Sequence, residues 1–151
     1  MKNLITTILL FSALSSFAQK SKTIDVARIN NIIIKGSISY NEDNSIEDTT
    51  YYIMGRDNRY VHLIEFNMLL NDCPLERIYD FLNYSIAFYD EESGTKARYK
   101  SNYFSVYRLM GIKVLSIYEE GDGSGYTDTS GMQLKTLLSR VDKWKSKNNI
   151  K

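Results

Sequence analysis

Apolar and polar residues alternate along this chain with two different periods, and each change of period marks a change of element. Thr23 to Tyr40 is rich in β-branched residues, with Ile32, Ile33 and Ile34 at its centre, and reads as strand. Asn30 and Asn31 interrupt it, which gives either two short strands or one bent strand. Asn41 to Asp48 is an acidic surface loop. Tyr51 to Met54 and Tyr60 to Phe66 read as the arms of a hairpin, joined by the turn-type stretch Arg56, Asp57, Asn58 and Arg59.

The period becomes helical after Pro74. Leu75, Ile78, Tyr79, Leu82, Ile86 and Tyr89 recur on one face and predict a helix to about Phe88. Proline suits the first turn, where its missing N–H would be unpaired anyway. Asp90, Glu91 and Glu92 oppose the helix dipole at that end, so the alternative is a strand over Ser85 to Tyr89 pairing with Thr95 to Tyr99. Strands follow over Lys96 to Leu109, with Ser101 and Asn102 as the place for a break, and over Ile112 to Glu119. The glycine-rich turn from Gly121 to Gly125 leads to a short strand near Tyr126. Ser130 and Gln133 have capping-box spacing, and Leu134, Leu137, Leu138, Val141 and Trp144 form one apolar stripe behind them. Lys143, Lys145 and Lys147 sit where cations favour the dipole.

Strands, helix, strands, helix, joined by short connections, predict an α+β fold. The expected form is an antiparallel sheet of about five to seven strands with two amphipathic helices packed on one face. Two such helices have no place in the wall of an outer-membrane barrel.

The start of the chain changes the setting. Lys2, the apolar run from Leu4 to Ala18 and the small residues Ser16 and Ala18 form a secretory leader in the right order, with cleavage before Gln19. The run is shorter than the ~20 residues that span a bilayer. Residues 1–18 are therefore read as a signal peptide and 19–151 as a single domain, with a loose start from Gln19 to Lys22. The expected destination is the bacterial periplasm or the extracellular space, with no membrane span after cleavage. The chain has 19 basic and 18 acidic residues, and loss of Lys2 balances them. That balance argues against a nucleic-acid binder. Cys73 is the single cysteine, so no internal disulfide is available.

Candidate chemistry is sparse. Cys73, placed at the N-cap beside Pro74, could be activated by helix amides, and His62 is the only histidine to pair with it. A small thiol-dependent enzyme using Cys73 with His62, or a carboxylate enzyme using Glu65 and Asp72, is the catalytic alternative. The default for both is structural: a packed junction cysteine and a neutral histidine among aromatics. A single histidine excludes a multi-His metal site, and Glu120 to Asp128 lacks the final carboxylate of a calcium loop, because that position is Gly131. No phosphate-cradling loop or nucleophile elbow is present, and no cofactor is expected.

Tyrosine is abundant, with 12 in the chain. Tyr51, Tyr52, Tyr60, Tyr99, Tyr103 and Tyr107 are the candidate ligand- or partner-binding surface. Tyrosine offers large contact area at small entropic cost, which suits a glycan or an envelope or extracellular protein. The segment 96–113 also carries Lys96, Arg98, Lys100, Arg108 and Lys113 without an acidic residue, which makes polyanion binding a third reading. Along an unbroken strand, alternation sets Tyr99, Tyr103 and Tyr107 on one face and Arg98, Lys100 and Arg108 on the other. The leading expectation is a small exported, non-catalytic binding module with a tyrosine-rich sheet surface.

Overall fold

The computed structural model describes residues 20–59, 66–119 and 125–150. The proposed leader, Tyr60, His62, Glu65 and the stretch from Glu120 to Ser124 lie outside the described residues. The architecture is α+β, but with two four-stranded antiparallel sheets instead of one sheet of five to seven strands. The first sheet is a meander of β1 (Lys20–Ile29), β2 (Ile32–Tyr40), β3 (Ile46–Arg56) and β4 (Phe66–Cys73), followed by α1 (Leu75–Tyr89). The second is a meander of β5 (Lys96–Tyr99), β6 (Asn102–Leu109), β7 (Ile112–Glu119) and β8 (Tyr126–Thr129), followed by α2 (Gly131–Lys147).

The division falls at Pro74. A proline cannot donate to a strand ladder, and the helix that begins after it carries the chain away from β4. Pro74 is the N-cap, and Leu75 is the first helical residue. Cys73, expected at the cap, is instead the last residue of β4, one place before it. The helix runs through Tyr89, so Ser85 to Tyr89 is helix and not strand. Two other local readings change. Lys20 to Lys22 belong to β1 and are not a loose start, since they pair with Tyr40, Ser39 and Ile38. Residues 67–73 are strand, although their polar ends, Asn67, Asn71 and Asp72, hide the alternation.

Asn30 settles the first ambiguity: it takes a φ of 40° and turns the chain between β1 and β2. Lys100 does the same between β5 and β6, with a φ of 55°. The capping box at Ser130 and Gln133 is formed in both directions.

One core serves both sheets and both helices. α1 buries Leu75, Ile78, Phe81, Leu82 and Phe88 between the sheets. It meets the second sheet through aromatic packing: Phe104 lies 5.8 Å from Phe81, 5.2 Å from Tyr84 and 5.9 Å from Phe88. α2 crosses back to the first sheet. Trp144 packs edge-on against Tyr51 of β3 at 6.0 Å, and Arg140 donates to the backbone carbonyl of Arg28 in β1. Tyr79 of α1 donates to Asp142 of α2 at 2.9 Å; burial, then the carboxylate, pushes that phenol up to about 12.

The sheets join where β3 meets β8. The Thr127 hydroxyl donates to the Arg56 carbonyl at 2.9 Å, and the Asn58 N–H donates to the Tyr126 carbonyl at 2.9 Å. Gly55 allows this approach, because a Cβ there would stand 2.7 Å from Thr127 Cβ. Asp57 is buried beside the joint. Its carboxylate accepts from Arg59 Nη2 at 2.7 Å and from the Arg59 N–H at 2.9 Å. The Arg59 side chain, with backbone N–H groups of Arg59 and Tyr126, holds the Asp57 carboxyl below its ordinary value of 3.8. At the opposite side, buried Asn102 of β6 donates to the Leu69 carbonyl of β4 at 2.6 Å.

Gly55→Ala is expected to cost about 1–3 kcal/mol by overpacking the joint, read as a lower urea midpoint. Asp57 contributes stability that is complete above its unfolded value and is lost as pH falls below it. Between pH 6 and pH 3 the wild-type urea midpoint is therefore expected to fall more than that of Asp57→Asn; equal slopes would remove Asp57 from the acid response.

Candidate functional site

The turn at Lys100 and Ser101 decides which side chains share a face. Because β5 folds back on β6, Arg98 stands opposite Tyr103 and Lys96 opposite Ser105. The tyrosine and cation that an unbroken strand would separate are thus brought together, with the Arg98 guanidinium 5.5 Å from the centre of the Tyr103 ring. Tyr99 moves to the inner face by the same reversal.

Pairing across the second sheet extends these contacts into two rows on its outer face. Arg98 pairs with Tyr103, Tyr103 with Tyr118, and Tyr118 with Tyr126. The next row on that face is Lys96, Ser105, Ser116 and Asp128. One row is therefore aromatic with a cation at its edge. The other is hydroxylic, with a cation at one edge and a carboxylate at the other. Tyr118 and Tyr126 are 5.6 Å apart, tilted by 34°. Ser116 donates to the Asp128 carboxylate, and Tyr107, the next outward residue on β6, lies close enough to both for them to shift its phenol. Burial first, and then the Asp128 charge, raise the Tyr107 phenol above its ordinary value. A cleft of about 580 Å³ opens over the β5 side of this face, lined by Lys96, Arg98, Tyr103, Ser105 and Tyr118 among others.

The sequence-selected tyrosines divide. Tyr103 is 45% exposed and Tyr107 half-buried on this outer face. Tyr51 is core, 5% exposed beneath Trp144. Tyr99 stacks on Tyr84 of α1 with ring centres 4.1 Å apart. Tyr52 is half-buried on the outer side of the first sheet, opposite Lys35. Tyr60 is outside the described residues. Tyr118 and Tyr126 were missed; the alternation of Ser116, Tyr118, Tyr126 and Asp128 against Leu115, Ile117, Thr127 and Thr129 carries the signal.

No match was found to any family model, to any curated protein or to any solved structure.

The remaining candidates occupy unlike settings. Cys73 is 2% exposed, and its thiol donates to the Tyr51 carbonyl at 3.3 Å. Burial is the main influence and pushes the thiol up, with Asp72 adding to it and Arg77 and Lys100 opposing. His62 and Glu65 lie outside the described residues, so the pairing of Cys73 with His62 has no described geometry. Among the described residues no three His, Cys, Asp or Glu side chains gather as metal ligands, and no helix is long and apolar enough to cross a membrane. The cations of 96–113 separate into two groups. Lys96, Arg98 and Lys100 lie toward one end of the sheet, and Arg108 and Lys113 face each other at the other.

A thiol held this way is expected to alkylate at least 100-fold more slowly in the native protein than in urea at pH 7.5, an order of magnitude set by burial and a raised pKa. Fast native labelling with a midpoint below pH 8 would restore Cys73 as a nucleophile.

Proposed function

We propose that this protein is an exported, non-catalytic carbohydrate-binding module whose site is the outer face of the second sheet. The observation that carries the reading is the pairing of the Arg98, Tyr103, Tyr118 and Tyr126 row with the Lys96, Ser105, Ser116 and Asp128 row. A sugar has apolar ring faces and a rim of hydroxyls. Tyrosine faces cover the first, and fixed donors and acceptors meet the second. Lys96 and Arg98 at the cleft favour sugars bearing a carboxylate. Ser116 is buried and donates to the Asp128 carboxylate, so it holds Asp128 in place and little side-chain freedom is lost there on binding. The protein would act by recognition, in the periplasm or outside the cell.

The test is an array of neutral and uronic-acid oligosaccharides, followed by calorimetry on the best binder. Tyr103→Ser with Tyr118→Ser is expected to weaken binding at least tenfold, about the effect of two lost stacking contacts. Tyr52→Ser, on the other sheet, is expected to leave it unchanged. Absence of any binder, or full binding by the double variant, would overturn the reading.

A further inference from the structure

The hairpin joining β6 to β7 ends in a cap of apolar side chains that no other described residue covers. Leu109 is 55% exposed, Met110 96% and Ile112 67%. Leu109 and Ile112 stand directly opposite each other, and Met110 and Gly111 form the two-residue turn. Both turn residues have positive φ, 49° for Met110 and 83° for Gly111. Hairpin turns of this shape favour Asn-Gly. Methionine at the first position accepts backbone strain and places a large apolar side chain in water, so folding alone does not explain its presence.

A second feature lies just behind the cap. Arg108 and Lys113 are also directly opposite each other. Like charges in that arrangement repel. Among the described residues neither makes an ion pair; Arg108 donates to the Gly111 carbonyl at 3.1 Å, and Lys113 stands 5.3 Å from the centre of the Tyr89 ring. The Tyr89 hydroxyl donates to the Lys113 carbonyl at 3.1 Å, and its ring abuts Gly131. Met132, 80% exposed, follows Gly131 and opens at the same end, with exposed Lys135 one turn on.

We propose that this tip is a membrane-contact device: Leu109, Met110 and Ile112 insert into the interfacial layer of a bilayer, and Arg108 and Lys113 bind the anionic headgroups above it. The order of layers fits. Two residues of extended chain separate the cation pair from the apex, about 7 Å at the usual rise per residue. Interfacial segments bury their apolar faces by about 5–10 Å, which brings the cations level with the phosphates. Anionic phosphates also relieve the repulsion between Arg108 and Lys113. The acids Asp90, Glu91 and Glu92 follow Tyr89 at the end of α1, and no ion pair among the described residues joins them to Arg108 or Lys113. Gly94, which follows them, donates to the Val106 carbonyl, further from the apex than Arg108.

The tip is separate from the tyrosine rows, and its test does not involve a sugar. The chain from Gln19 onward, which keeps every described strand and helix, is mixed with vesicles of phosphatidylcholine alone or with an equal share of phosphatidylglycerol, and flotation is measured. The wild type is expected to float with the anionic vesicles at low salt and to dissociate as salt rises. Met110→Asn is expected to reduce partitioning by about tenfold or more, the worth of burying one large apolar side chain. Because asparagine suits the turn, its melting temperature is expected to be unchanged or higher, which separates lost contact from lost fold. Arg108→Ser with Lys113→Ser is expected to abolish the preference for anionic vesicles. The proposal is overturned if the wild type ignores anionic vesicles, if it binds both vesicle types alike, or if Met110→Asn floats as well as the wild type. It is equally overturned if that substitution changes the oligomeric state and leaves flotation intact, which would make a second copy the occupant.

Discussion

The two sheets are tied together where Gly55 of β3 meets Thr127 of β8, a contact close enough to exclude a side chain, and again where β4 approaches the second sheet through Asn102 and Leu69. The missing side chain of Gly55 creates the space. The Thr127 hydroxyl fills it and satisfies the Arg56 carbonyl. A close backbone contact strips water from polar groups that must then find partners within the protein. Asn58 and Asn31 supply such partners around the joint: the Asn58 N–H donates to the Tyr126 carbonyl, and the Asn31 side chain donates to the Asp128 carbonyl. The same joint anchors β8, and so sets the lateral position of Tyr126 and Asp128 in the two outer rows. Fold and candidate site therefore both draw on this close contact.

Much of this was legible in the amino-acid order. The helix from Leu75, the capping box at Ser130, the strand from Ile112 to Glu119 and the apolar stripe of the last helix follow from periodicity and end chemistry, which are local. The division into two sheets was not legible. Nothing local distinguishes β4 and β5 pairing with each other from each standing at the edge of its own sheet. Pro74 ends the first ladder, but the decision rests on tertiary contacts such as Asn102 with Leu69. Residues 67–73 were passed over because their polar members face solvent or the other sheet.

The candidate surface shows how much depends on parity. A single turn at Lys100 and Ser101 exchanges the faces of every residue before it. Read as one strand, Tyr99 joins Tyr103 and Arg98 is excluded. Folded back, Arg98 joins Tyr103, and Tyr99 goes under α1 to stack on Tyr84. Tyr51 was misplaced for another reason: alternation gave its face but could not say that Trp144, ninety-three positions later, would cover it. A tyrosine's abundance carries no information on which side of a sheet it serves.

The return of α2 to the first sheet has a consequence for how the polypeptide is made. β1 through β4 precede α2 in the chain, yet part of their apolar side is sealed by Val141 and Trp144 of α2. Until α2 has been made, that side lacks the cover of these two residues. Loss of α2 would therefore leave an apolar side of the first sheet open to self-association.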